Sequence, residues 1–156
     1  MRRLQPAQSE LVAIAIDQDH VYWTTLTEVK RVPKEGGLVE TYVSGASPES
    51  VVVDATHVYG IDGVAGSVNR MEKEGGRPEE LAPGQSAPQG MALGDGHVYW
   101  TNGGDGTVKR VPVGGGLVEE VASGRAGLKE ITLRDGAVIW TEMDGVAAVY
   151  LCGCGL

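Results

Sequence analysis

One pentapeptide, written twice, constrains this chain more than any other feature. His20-Val21-Tyr22-Trp23-Thr24 returns as His97-Val98-Tyr99-Trp100-Thr101, and looser copies stand at His57-Val58-Tyr59-Gly60 and Ala137-Val138-Ile139-Trp140-Thr141. The valines of the four copies, Val21, Val58, Val98 and Val138, lie 37, 40 and 40 residues apart. Flanking columns keep the same phase. Upstream stand the apolar triplets Ile14-Ala15-Ile16, Val51-Val52-Val53, Met91-Ala92-Leu93 and Ile131-Thr132-Leu133. Downstream stand Val29-Lys30-Arg31-Val32-Pro33, Val68-Asn69-Arg70-Met71 and Val108-Lys109-Arg110-Val111-Pro112, with Ala148-Val149-Tyr150-Leu151 as the fourth copy. A periodicity of this length is the mark of a repeat architecture.

Each unit holds four short β-type runs. In the first they are a (12–16), b (20–24), c (28–32) and d (39–43), joined by links of hairpin length, which make neighbours antiparallel. With 24 glycines and 7 prolines in 156 residues, the composition suits strands and tight turns and disfavours a helical bundle. Four-stranded units of about 40 residues are blades of a β-propeller. The chain therefore reads as all-β, a β-propeller with four visible four-stranded antiparallel blades in one domain, 1–156. The units run approximately 11–47, 48–87, 88–127, and 128–156 plus 1–10. Blades bury their faces only by stacking, so the apolar strand a is expected innermost, covered on both sides.

The ends carry a further regularity. The fourth unit stops without a strand d, and residues 2–9 align with residues 79–86 at a constant offset of 77. Arg2 to Leu4 is thus expected to supply the outer strand of the last blade, which would remove an open sheet edge. Two architectures follow: a closed four-bladed ring, or a half-ring that pairs with a second copy into eight blades.

Charge and termini exclude several functions. A net charge of −8 provides no basic footprint for nucleic acid and repels anionic membrane surfaces. No apolar run reaches the ~18 residues of a membrane span. Met1-Arg2-Arg3-Leu4-Gln5-Pro6 lacks the apolar stretch of a secretory signal, so a cytoplasmic location is expected, or an extracellular one if the chain is part of a larger protein. The only cysteines, Cys152 and Cys154, stand together near the C-terminus and do not make a disulfide scaffold. A pair of reduced thiols in the last c–d turn is expected.

The Tyr-Trp-Thr core resembles the YWTD repeats of low-density-lipoprotein-receptor class B-type β-propellers, and a bacterial variant with a Val-Tyr-Trp-Thr-Asn signature. The residues that carry the likeness are Val21-Tyr22-Trp23-Thr24 and Val98-Tyr99-Trp100-Thr101-Asn102. The family's motif aspartate is kept as Asp62 in the second unit and stands as Thr25, Asn102 and Glu142 in the others, and Gly60 stands for one tryptophan. The resemblance implies the fold and non-catalytic binding; such propellers commonly have six blades, where four are visible here.

Function in a propeller concentrates on loops around the channel mouth. The d–a and b–c loops share that face, and the residues expected there are Glu10, Glu49, Asp62, Gln89, Asn102, Asp105, Glu130 and Glu142. Asp62, Asn102 and Glu142 also admit a structural role, pairing with neighbouring backbone. The loop from Asn102 to Gly106 has oxygens that would suit Ca²⁺, but its spacing matches no calcium motif, so no cofactor is expected. The three histidines, His20, His57 and His97, share one column. A strand's distance from the axis separates them too widely for a common metal, and capping of the a–b turns is expected instead. The reading is a non-catalytic scaffold for a protein or small polar ligand, with a homodimer among the partners. Its alternatives are a propeller lyase or hydrolase using the channel-mouth carboxylates, and a self-assembling repeat unit or fragment of a longer propeller.

Overall fold

A computed structural model describes residues 10–44 and 46–150. It contains four antiparallel sheets and no helix among those residues. The first blade comprises β1 (Ile14–Ile16), β2 (His20–Thr24), β3 (Glu28–Pro33) and β4 (Glu40–Ser44). The second comprises β5 (Pro48–Val53), β6 (His57–Asp62), β7 (Ser67–Glu72) and β8 (Glu79–Ala82). The third comprises β9 (Pro88–Gly94), β10 (His97–Asn102), β11 (Thr107–Pro112) and β12 (Glu119–Ala122). The fourth has β13 (Ile131–Arg134), β14 (Ala137–Glu142) and β15 (Gly145–Tyr150). The expected outer strand at Arg2 to Leu4 lies outside the described residues, as do Cys152 and Cys154.

Within each blade the strands pair in chain order. Between blades, the inner strands pack in succession, β1 on β5, β5 on β9 and β9 on β13. Side-chain alternation decides which residues fill which seam. In the third blade Val98, Trp100 and Val111 face the second blade, in a core with Ile61, Val68, Leu81 and Ala82. Tyr99 and Val108 face the fourth, in a core with Ile131, Val138 and Trp140.

Three details depart from the sequence reading. The inner strand is not covered on both faces everywhere: Ile14 and Ile16 are exposed, because no described blade precedes the first. The fourth blade's strand c is displaced by two residues. Val146, not Ala148, is the counterpart of Val108, since Thr141 pairs with Val146 as Thr101 pairs with Val108. A shorter b–c turn, Met143-Asp144 in place of Gly103 to Gly106, causes the slip. Finally, β5 and β9 each carry a bulge near their start, between Pro48 and Ser50 and opposite Thr101. A bulge re-aims side chains at a sheet end, which here is the end that carries the d–a and b–c loops.

Candidate functional site

The bulges position the loop face. Threonine hydroxyls at the end of strand b stabilise this part of the inner strand. Thr24 Oγ1 accepts the Ala13 N–H at 2.9 Å, Thr101 Oγ1 that of Gly90 at 3.0 Å, and Thr141 Oγ1 that of Glu130 at 3.0 Å. Thr101 also donates to the Lys129 carbonyl at 2.8 Å, tying the third blade to the fourth. The approach is close: a Cβ on Gly90 would lie 2.3 Å from the Lys129 oxygen. The threonine of the Tyr-Trp-Thr motif therefore fastens the loop end of the inner strand. Its recurrence in three of the four units was the sequence signal for that role.

Two of the expected site residues, Glu49 and Gln89, sit at the bulges, and their side chains fold over Gly63 and Gly103 of the adjoining b–c loop. Glu130 is exposed at the matching end of the fourth blade. Glu10 is exposed just before β1, with φ of 62°. Asp62 and Asp105 are turn residues. Asp62 Oδ1 accepts the N–H groups of Val64 (3.1 Å) and Ala65 (2.9 Å), and Asp105 Oδ1 accepts from Thr107 Oγ1 (2.7 Å) and its N–H (3.1 Å). Glu142 Oε2 accepts the Trp140 indole N–H at 3.4 Å. Asn102 is fully buried, and its Nδ2 donates to Gln85 Oε1 (3.0 Å) and Thr107 Oγ1 (3.1 Å). Among the described residues, no hydrogen bond or ion pair joins any two of these eight.

Gln85 was missed by the sequence reading, although it organises the seam between the second and third blades. Its Oε1 receives both Asn102 and the Trp100 indole N–H, the latter at 3.0 Å. At the next seam the corresponding loop position holds Arg125, stacked on Trp140 with its guanidinium 5.8 Å from the ring centroid.

A cleft of about 810 Å³ opens at the opposite end, between the first two blades. Asp17, His20, Arg31, His57 and Lys73 line it. Lys73 Nζ lies 2.6 Å from Asp17 Oδ2, and the Arg31 guanidinium donates to the Lys73 carbonyl at 2.7 Å, so both cross the seam. Burial raises the Asp17 pKa, but the hydrogen bond and charge of Lys73 and the N–H groups of His20 and Asp19 outweigh it. The carboxyl is held well below the usual carboxylate range. Burial, followed by the Asp17 charge, pushes the Tyr22 phenol upward. The first two a–b turns are capped chiefly by aspartates. Asp17 Oδ1 accepts from Asp19 and His20, and Asp54 Oδ1 from Thr56 and His57. The histidines take part at two of the three turns: His97 Nδ1 lies 2.8 Å from the Asp95 carbonyl oxygen and His57 Nδ1 2.7 Å from Thr56 Oγ1. Each imidazole also tilts against the tyrosine two residues on, at centroid distances of 6.0–6.1 Å. Among the described residues, no group of three or more His, Cys, Asp or Glu could hold a metal ion.

A scan of protein-family models finds none that matches this sequence, and no curated protein matches it. Solved structures do. The computationally designed Ika4 protein superposes with a TM-score of 0.81 at 19% identity, covering 96% of both chains. The designed Ika8 protein gives 0.77 at 18% identity, covering 93% of this chain and 47% of that one. A nidogen/laminin complex gives 0.69 at 16% identity, covering 90% of this chain and 76% of that one. At such identities the likeness shows the fold, and the fold is that of a β-propeller.

Proposed function

We propose that this chain is a non-catalytic binding scaffold built as a half-ring. Two copies join end to end into an eight-bladed propeller, and the loop face around the channel is the binding surface. The carrying observation is a contrast between equivalent residues. Ile14 on the leading face of the first blade is 73% exposed, whereas its counterparts Val51, Met91 and Ile131 are at most 8% exposed. Val146 on the trailing face of the last blade is 70% exposed, whereas Val29, Val68 and Val108 are at most 5% exposed. One free face is made of the columns that receive a preceding blade, the other of those that receive a following blade. They are complementary by repetition, and among the described residues β13 and β1 are not packed as the other inner strands are.

The trailing face is more apolar than its internal counterparts. Ala148 stands where the other three blades carry Arg31, Arg70 and Arg110, and Tyr150 is exposed on the same face of the strand as Val146. Burying such a side chain is worth about 1.5–3 kcal/mol, and a two-copy ring forms the same seam twice. This chain also spans about half of Ika8, consistent with a larger ring holding two such units. The Tyr-Trp-Thr columns support kinship with YWTD-type repeats.

On this reading Glu49, Gln89 and Glu130 present a polar, largely acidic rim to a small polar ligand or a protein segment. A lyase is disfavoured by distance. The histidines begin strand b and the carboxylates end it, about 17 Å apart over five residue steps. The test is Val146→Asp, which places a charge in the seam. The variant is expected to sediment as a monomer with an unchanged circular dichroism spectrum; a variant with unaltered mass would overturn the half-ring.

A further inference from the structure

The seam between the first and second blades lacks the indole that the next two seams contain. Trp100 and Trp140 fill the later seams, each facing the preceding blade. The same position in the second blade is Gly60. Two neighbouring columns are cut back with it. Ala46 stands in the loop that supplies Gln85 and Arg125 at the later seams, and Asn69, paired with Gly60, replaces the lysines at 30 and 109. The space is not refilled. A cleft of about 270 Å³ remains there, walled by Val29, Tyr42, Val43, Val51, Gly60 and Met71. A Cβ on Gly60 would meet nothing nearer than the Ser50 carbonyl at 3.6 Å, so room for a ring begins at the backbone itself.

We propose that this cleft is a binding site for a small planar aromatic molecule of indole size. An apolar cavity of about 150 Å³ suffices to bind benzene. The walls suit an aromatic guest. The Tyr42 ring meets Tyr22 edge-on, with centroids 6.2 Å apart, and Met71 adds a polarisable sulfur. Asp62 and Asn69 also line the cleft and give a polar edge to a guest N–H. The guest takes the place that the protein's own tryptophan occupies at the later seams. The site lies inside one chain and does not depend on ring closure.

Indole itself is the probe. Titration of the ¹⁵N-labelled full chain is expected to give saturable shifts confined to Tyr42, Val43, Gly60 and Met71, with a raised melting temperature. Gly60→Trp fills the cleft and should abolish both effects. Asn69→Lys restores the residue found in the first and third blades, should weaken binding at least tenfold, and decides the matter if Gly60→Trp does not fold. No saturable shift in the wild type, or indole binding unaltered in the variants, would overturn the site.

Discussion

Trp100→Gly would copy into the third blade the truncation that the second already carries. Trp100 is fully buried, in a core with Ile61, Val68, Leu81, Ala82 and Met91, and its indole N–H is bonded to Gln85. Truncating a buried tryptophan to alanine costs about 3–5 kcal/mol through lost transfer energy and the cavity left behind. Glycine in a strand adds up to about 1 kcal/mol of backbone entropy. The orphaned acceptor contributes little, because Gln85 Oε1 still receives Asn102. With a urea slope of about 2 kcal/mol/M, the midpoint should fall by roughly 2 M. Equilibrium urea unfolding followed by far-ultraviolet circular dichroism measures it. A shift below about 0.3 M would mean that the ring is not packed between blades, and the assignment of Trp100 to the seam would be wrong.

Two further outcomes follow from the seams. The Asp17 pKa is lowered in the folded state, so its pairing with Lys73 stabilises the protein above the unfolded value of about 3.9 and is lost as pH falls through the folded one. Asp17→Asn should therefore flatten the loss of stability below about pH 4 in urea titrations, and an unchanged acid slope would contradict the pairing. Gly106 has φ of 68°, and a Cβ there would lie 2.2 Å from the Arg125 carbonyl oxygen, so Gly106→Ala should cost about 1–3 kcal/mol by thermal or urea unfolding.

Hairpin-level structure was legible in the sequence because it is written locally. His20–Thr24 is a strand as expected, and strand c runs one residue past its expected end, from Glu28 to Pro33. The a–b turns at Asp95-Gly96 and Asp135-Gly136 have positive φ throughout, the conformation that such dipeptides adopt between strands. Contacts between blades were less legible. Bulges opposite single residues move Glu49 and Gln89 out of simple alternation, so nothing in the period predicts that they fold over Gly63 and Gly103. Gln85 sits in a loop whose length varies between units, and its pairing with Trp100 and Asn102 depends on three-dimensional approach. The recurring aspartates at 17 and 54 were a readable signal, since each is followed by His-Val-Tyr and each binds that tyrosine's hydroxyl. The site residues divide the same way. Asp62 and Asp105 are explained by their own turns, whereas the carboxylates of Glu49 and Glu130 make no hydrogen bond or ion pair among the described residues. On the proposed function, these two carboxylates are available to a ligand.

Particle mass in solution separates a half-ring dimer from a single chain. Multi-angle light scattering of the unmodified protein at micromolar concentration should give twice the 16.3 kDa of one chain. A stable mass of 16.3 kDa would mean that Ile14 and Val146 find their cover without a second copy, and the eight-bladed ring would be abandoned.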